Sequence, residues 1–214
     1  MKFAVIGCRH PHISVFIDEM LALSHRFLGI CESEGPLAPR LAGQYGVPLF
    51  QAEEAVFAVA PDVVGTSDVN NRKIGVIERC AARSIHVMAD KPIAVSDADC
   101  DRLERVMENV RVGMLLTERF NPALYTLREC IREGRLGQIV SISAFKPHKL
   151  MPAAREPWHF DAAQNGGIVV DLMVHDLDMV RWLTGSEVRS AACMLQKGGV
   201  SGYPKFCDDA WPAA

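Results

Sequence analysis

Asp171, His175 and Asp178 stand at i, i+4 and i+7, a spacing that stacks them along one side of a helix. An Asp one turn before a His can orient the imidazole and hold its tautomer, so that the ring acts as acid or base near neutral pH. Val169, Met173, Leu177 and Val180 take the opposite side, and Val170 and Val174 flank the polar stripe. A stripe that narrow suits a cleft. Asp176 falls towards the apolar side and has no place in the pattern. On a solvated helix face the same residues would be an i,i+4 pair worth a few tenths of a kcal/mol. Lys91 follows the apolar run Ile85 to Ala89, and Pro92 fixes the backbone after it. A lysine there can donate to a substrate hydroxyl or take its proton, or it can be an ordinary surface lysine.

A second group of residues could hold a nucleotide. Phe3 to Ile6 is an apolar run ending at Gly7, and Ile13, Phe16, Ile17, Met20 and Leu21 mark one face of a helix. Strand, tight turn and helix can hold a pyrophosphate at the helix N-terminus. The pattern G-x-G-x-x-G would need glycine at 7, 9 and 12, but the chain has Gly7, Arg9 and His12. Arg9 can reach a phosphate, although its Cβ limits backbone approach. Pro11 fits a first helical position. Glu32 ends the next apolar run 25 residues after Gly7, near the offset of about 20 at which an acid meets the adenosine ribose. A carboxylate there accepts from a 2′-OH and repels a 2′-phosphate, which favours NAD(H) over NADP(H). The bland alternatives are an ordinary βα turn and a solvated acid. Ser67 and Asn70 lie in a polar loop at the end of the fourth strand, the side on which open α/β sheets bind ligands. The candidate cofactor contacts are therefore Gly7, Arg9, His10, His12, Glu32, Ser67, Asn70 and Lys91. His10 and His12 also resemble a metal pair. No acid or cysteine stands at suitable local spacing, so no metal is expected.

The elements that must position these groups alternate. Strands are predicted at 3–6, 26–31, 47–50, 62–66, 85–89 and 110–116, with helices between them, the last capped by Ser96. This is the rhythm of a doubly wound parallel sheet. It changes near Leu116 to Arg119. A helix over 121–133 leads to Gln138 to Lys146, whose alternation suits a half-buried antiparallel strand. A loop with Pro147, Pro152, Pro157, Trp158 and His159 precedes the helix 166–183, and further strands are expected over 187–196 and 203–211. The expected architecture is α/β: a Rossmann dinucleotide-binding domain over 1–118 with a doubly wound parallel sheet, then a second domain over 119–214 that opens with a helix and an antiparallel strand.

Bulk properties narrow the classes. The chain has 214 residues, 49% hydrophobic and 23% charged, with net charge −3. That balance gives no reason to expect nucleic acid or an anionic membrane as partner. No run spans a bilayer and no signal-peptide pattern opens the chain, so a cytoplasmic location is expected. The seven cysteines are scattered and never C-x-x-C, as free buried thiols would be.

Taken together these stretches resemble the Gfo/Idh/MocA oxidoreductases over nearly the whole chain. AVIGCRHPHI is similar to that family's opening strand and turn, and GICESE to its second strand with its acid. HVMADKPIAVS resembles its E-K-P segment with Asp90 replacing glutamate. ERFNP and IREGRLGQIVSI resemble the crossover into the second domain. GGIVVDLMVHDLDMVRWLTG resembles its glycine pair, D-x-x-x-H and following aspartate. The resemblance implies that 119–214 is a partial α+β substrate domain with an open, mainly antiparallel sheet, and that the chain serves hydride transfer between NAD(P) and a hydroxyl or carbonyl of a sugar- or inositol-like polyol. It implies catalytic roles for Lys91, Asp171 and His175. His175 or Lys91 would carry the hydroxyl proton, Asp171 would orient the base, and Lys91 would stabilise charge on oxygen. Lys146, Arg155, Trp158 and His159 are further candidates for polyol contacts. Family members run considerably further and commonly dimerise through the second domain's sheet, so a homo-oligomer is expected. Two other functions stay open: a non-catalytic nucleotide- or partner-binding protein, and a metal-dependent enzyme using His10, His12, His175 and nearby acids.

Overall fold

The structure is a computed structural model that describes residues 1–146 and 151–194. The chain divides into two compact units, Met1–Leu115 and a second from Leu116 onward.

In the first unit the six apolar runs become six strands: β1 Lys2–Cys8, β2 Arg26–Cys31, β3 Leu49–Phe50, β4 Val63–Ser67, β5 His86–Asp90 and β6 Val112–Leu115. All neighbours pair in parallel, in the order β3-β2-β1-β4-β5-β6. Five helices make the crossovers: α1 Ile13–Ala22, α2 Leu37–Tyr45, α3 Glu53–Ala58, α4 Lys73–Ala81 and α5 Asp97–Met107. Strand side chains alternate between the faces, and each face of β1 feeds its own core. Phe3 and Val5 pack with Ile13, Phe16, Ile17 and Leu41, whereas Ala4 and Ile6 pack with Val64, Val76, Ile77 and Val87. Burial on both faces explains why β1 reads as an unbroken apolar run. The strand order reverses between β1 and β4, which opens a crevice at their carboxyl ends.

Local chemistry sets the ends of these elements. Ser96 Oγ accepts from Asp99 N at 3.2 Å, the expected cap of α5. Gly46 closes α2 in the left-handed region. Pro11 departs from its expected place. The α-helix begins only at Ile13, and Pro11 sits in a preceding turn whose carbonyl accepts from Ser14 N at 3.1 Å. Tight i→i+3 bonding at the helix start moves the boundary by two residues.

The second unit is helical among its described residues. A 3₁₀ turn at Thr117–Phe120 leads into α6, Pro122–Arg132, capped by the Asn121 side chain. After further 3₁₀ turns at Pro152–Ala154 and Pro157–Phe160 come α7, Ala162–Asn165, a π-helical turn at Val169–Met173, and α8, Val174–Thr184. Arg128 joins α6 to α8: its guanidinium lies 4.7 Å over the Trp182 ring and donates to the Trp182 carbonyl.

The expected antiparallel sheet is not found among the described residues. Residues 138–146 and 187–194 carry no regular strand, and Val140 and Phe145 are 93% and 92% exposed. Alternation supplies one apolar face, but a strand also needs a neighbour to take its N–H and C=O groups. The strand expected over 203–211, the end of that over 187–196, Pro147 and Cys207 lie outside the described residues.

The long helix also differs from expectation. His175 and Asp178 are buried, whereas Met173, Leu177 and Val180 are 39%, 44% and 38% exposed. The stripe read as polar faces inward and the apolar stripe faces out. The π turn breaks the 3.6-residue register just before His175, so one continuous face cannot be drawn through it.

Candidate functional site

Gly7 sits at the end of β1 with φ +75°, and a Cβ there would lie 2.6 Å from Asp68 Cβ. Both facts require glycine at this turn. Beyond it, Arg9 N and His10 N each donate to the Ser67 carbonyl at 3.0 Å, and Ser67 Oγ donates to the His10 carbonyl at 2.7 Å. Ser67 therefore ties the first turn to the end of β4. The His12 and Ile13 amides make only long bonds of 3.4 Å, to His10 Nδ1 and the His10 carbonyl. These two N–H groups at the start of α1 are the ones a phosphate could draw away most easily.

Glu32 lies at the carboxyl end of β2 and accepts from Cys8 N at 3.2 Å and from Glu34 N at 2.8 Å. With Gly7, Ser33, Asp68 and Arg72 it lines an open cleft beside the ends of β1 and β4. Burial raises the Asp68 carboxyl above its ordinary range, against the hydrogen bond it accepts from Val69 N. Arg9 and Arg72 both pair with Glu34, so the positive charge nearest this cleft is met by a carboxylate on the β2 loop. Burial of the cysteines is only partly as expected: Cys8, Cys31 and Cys80 are buried, whereas Cys100 and Cys193 are exposed, and Cys8 and Cys31 border this region. Burial pushes Cys8 up to about 12 and Cys31 up to about 11, which keeps both protonated and unreactive.

On the other side of β4, Lys91 is buried at the end of β5, and a residue that the sequence pattern had not singled out holds its backbone. Lys73, the first residue of α4, is fully buried. Its Nζ donates to Asn70 Oδ1 at 3.0 Å and to the carbonyls of Asp90, Lys91 and Pro92 at 3.1, 3.1 and 3.2 Å. Asn70 thus serves the same anchor. The available signal was weak: a lysine three residues after Asn70 inside a strongly apolar helix face. Asp90 takes both histidines of the first turn, with His10 Nδ1 3.1 Å from Oδ2 and His12 Nδ1 3.1 Å from Oδ1.

In the second unit, Asp171 lies on the π turn and His175 in the first turn of α8, where it is buried. Asp178 is held by Arg119 of the preceding 3₁₀ turn, which donates from Nε at 2.8 Å and also from Nη2. Lys146 pairs with Glu118 at 2.6 Å and Asp176 at 3.0 Å. Burial opposes its charge, but these two carboxylates outweigh burial and raise it above the ordinary lysine range. Asp176, unplaced by the helix pattern, is thereby explained, and Lys146 is engaged in a structural ion-pair network. Trp158 is buried and stacks on His159 with ring centroids 3.7 Å apart, while His159 Nδ1 is 3.2 Å from the Glu156 carbonyl. Arg155 follows the 3₁₀ turn Pro152–Ala154. The cofactor candidates and Lys91 thus belong to the first unit, and the remaining candidates to the second.

Comparisons with known proteins agree with both. Residues 1–115 match the family model described as an oxidoreductase family with an NAD-binding Rossmann fold, and residues 124–207 match the GFO/IDH/MocA C-terminal domain. The chain is 30% identical over 173 residues to the rhizopine catabolism protein MocA of Rhizobium meliloti, covering 79% of this chain and 53% of that one. It is 30% identical over 134 residues to myo-inositol 2-dehydrogenase of Thermotoga maritima, covering 59% and 37%. The WlbA dehydrogenase of Bordetella pertussis, solved with NADH and UDP-GlcNAcA, superposes with a TM-score of 0.68 at 22% identity, covering 85% of this chain and 57% of that one. The chain spans about half the length of the relatives it matches. With the six-stranded parallel sheet, the glycine turn and both family models in agreement, the chain belongs to the Gfo/Idh/MocA family of oxidoreductases.

Proposed function

We propose that this chain carries the cofactor site and part of the substrate site of an NAD(H)-dependent oxidoreductase acting on a hydroxyl or carbonyl of a sugar- or inositol-like polyol. The observation that carries the reading is the pinned turn Asp90-Lys91-Pro92, held at the end of β5 by buried Lys73, on the same sheet edge as the Gly7 turn and Glu32. The named activities of the relatives support the substrate class.

Glu32 would take the adenosine ribose hydroxyls. The His12 and Ile13 amides, released from their long bonds, would take phosphate, with Arg9 beside them. A bound nicotinamide supplies the hydride acceptor or donor. Lys91 or His175 is the proposed carrier of the substrate hydroxyl proton, and Asp171 the residue proposed to orient His175. A Lys91 ammonium beside developing negative charge on a substrate oxygen stabilises that charge. Arg155, Trp158 and His159 are proposed polyol contacts. The boundary between a cofactor domain over 1–118 and a substrate domain from 119, a cytoplasmic location and a homo-oligomer complete the reading.

The test is to titrate NADH and NADPH separately, following nicotinamide fluorescence, and then to assay a polyol panel. Tight NADH binding, weak NADPH binding, and turnover lost in Lys91→Ala and His175→Ala with NADH binding retained are the expected results. Normal turnover in both variants would overturn the mechanism. A second reading, nucleotide binding without turnover, is favoured by the commitment of the Arg9 and His10 amides to Ser67. It would stand if the wild-type chain bound NADH but turned over no polyol.

A further inference from the structure

We propose that His10, His12 and Asp90 form a binding site for a divalent transition-metal ion of the zinc class. The inference goes beyond the oxidoreductase reading and does not depend on it. The three residues offer two imidazole nitrogens and one carboxylate, all with ligand atoms within 4.8 Å of one another. Asp90 reaches the first turn from the end of β5, 78 residues along the chain from His12. It does so because β4 alone separates β1 from β5 in the sheet.

The two histidines meet Asp90 differently. His12 Nδ1 lies 3.1 Å from Oδ1 in sound hydrogen-bond geometry. His10 Nδ1 lies equally close to Oδ2, yet Oδ2 is buried and accepts no hydrogen bond. The His10 ring and this oxygen are thus close neighbours, a separation that a shared ion would accommodate. With metal–ligand bonds of about 2.1 Å, a second ligand at 3.1 Å lies about 40° off the ring's own ligand axis. A hydrogen bond would place it on that axis. His10 Nδ1 also accepts from the His12 amide at a long 3.4 Å, a bond that ligation through this nitrogen would replace.

Imidazole nitrogen and carboxylate oxygen are ligand types that an ion of this class takes. The ligands are also held from behind. Ser67 Oγ donates to the His10 carbonyl, and Lys73 Nζ to that of Asp90, the kind of support that orients ligands at metal sites. Two imidazoles and one carboxylate satisfy three tetrahedral positions and leave a fourth for water or an exogenous ligand. The Lys73 ammonium faces carbonyls instead of the carboxylate, so its charge weakens the site without occupying it. Ligation through His12 Nδ1 would require the ring proton to sit on Nε2.

The test uses the full chain stripped with chelator and titrated with Co²⁺ at micromolar concentration, reading visible absorption and metal content. One equivalent of Co²⁺ per chain, displaced by Zn²⁺ and weakened at least tenfold in His12→Ala and in Asp90→Asn, is the expected result. Circular dichroism confirms that the variants fold, and His12, which is partly exposed, gives a readable variant if Asp90→Asn does not. No uptake by the wild-type chain, or uptake unchanged in the His10→Ala/His12→Ala double variant, would overturn the proposal.

Discussion

A buried charge has to be explained by its partners, and Lys73 shows how much one residue can organise. Its ammonium lies out of water with four oxygens around it, three of them consecutive carbonyls of the Asp90–Pro92 turn. An ionised group without such partners would lose its charge or unfold the protein. Lys73→Met keeps the length and removes the donor, leaving buried carbonyls unsatisfied at about 1–3 kcal/mol each before relaxation. A loss of about 3 kcal/mol in urea unfolding is the expected outcome, and a loss below 1 kcal/mol would show that water replaces the ammonium. Asp68 poses the opposite problem. Its carboxyl is raised by burial, so the folded state resists ionisation more than the unfolded state does. Below the unfolded value both states are protonated and nothing is lost. As pH rises past that value the unfolded chain ionises first, and stability falls until the folded carboxyl ionises too. Asp68→Asn is therefore expected to stabilise the chain at pH 7, with the gain vanishing below pH of about 4. Unfolding midpoints of both proteins across pH 3–7 check the sign.

At the scale of elements, the first βα unit replaces one glycine with another. In G-x-G-x-x-G the last glycine lets the helix approach its sheet closely, and here that position is His12. The clearance comes from β4 instead. A Cβ on Gly65 would lie 2.5 Å from Phe16 Cδ1 and 3.2 Å from Ile13 Cδ1. Phe16 and Ile13 belong to α1, so Gly65→Ala is expected to push this helix off the sheet and cost about 1–3 kcal/mol. Thermal unfolding measures it, and no change in Tm would mean that α1 rides away from β4 freely. Strands β1 to β6 were all legible because strands buried on both faces announce themselves as apolar runs between turn residues. The strand expected at 138–146 was read from the same kind of signal. It is not present among the described residues because pairing is not a local property. The sequence left two readings of the polar stripe of α8, a cleft or a solvated face, and burial of His175 and Asp178 decides against the solvated face; Arg119 and Lys146, distant in sequence, supply the partners of Asp178 and Asp176.

For the whole molecule, the two clusters of buried apolar side chains found among the described residues lie within residues 3–112. The first unit by itself has strand neighbours on each interior strand and helices on both faces. Residues 1–115 are therefore expected to fold alone, with cooperative urea unfolding followed by circular dichroism. A gradual, non-cooperative loss of signal would show that the second unit is required. No helix among the described residues is long and apolar enough to cross a membrane. By itself the sequence determined the alternation of strands and helices, the Ser96 cap and the Gly46 stop, the glycine turn and the carboxylate at the end of β2. Each of these is written in residues a few positions apart, where periodicity and turn chemistry act. Only the tertiary structure decided that Asp90 meets His10 and His12, that Lys73 holds the Lys91 turn, and that the polar side of α8 faces inward. Those contacts depend on which strand ends and helix faces become neighbours. Sheet order and packing create that neighbourhood, and no local pattern contains it.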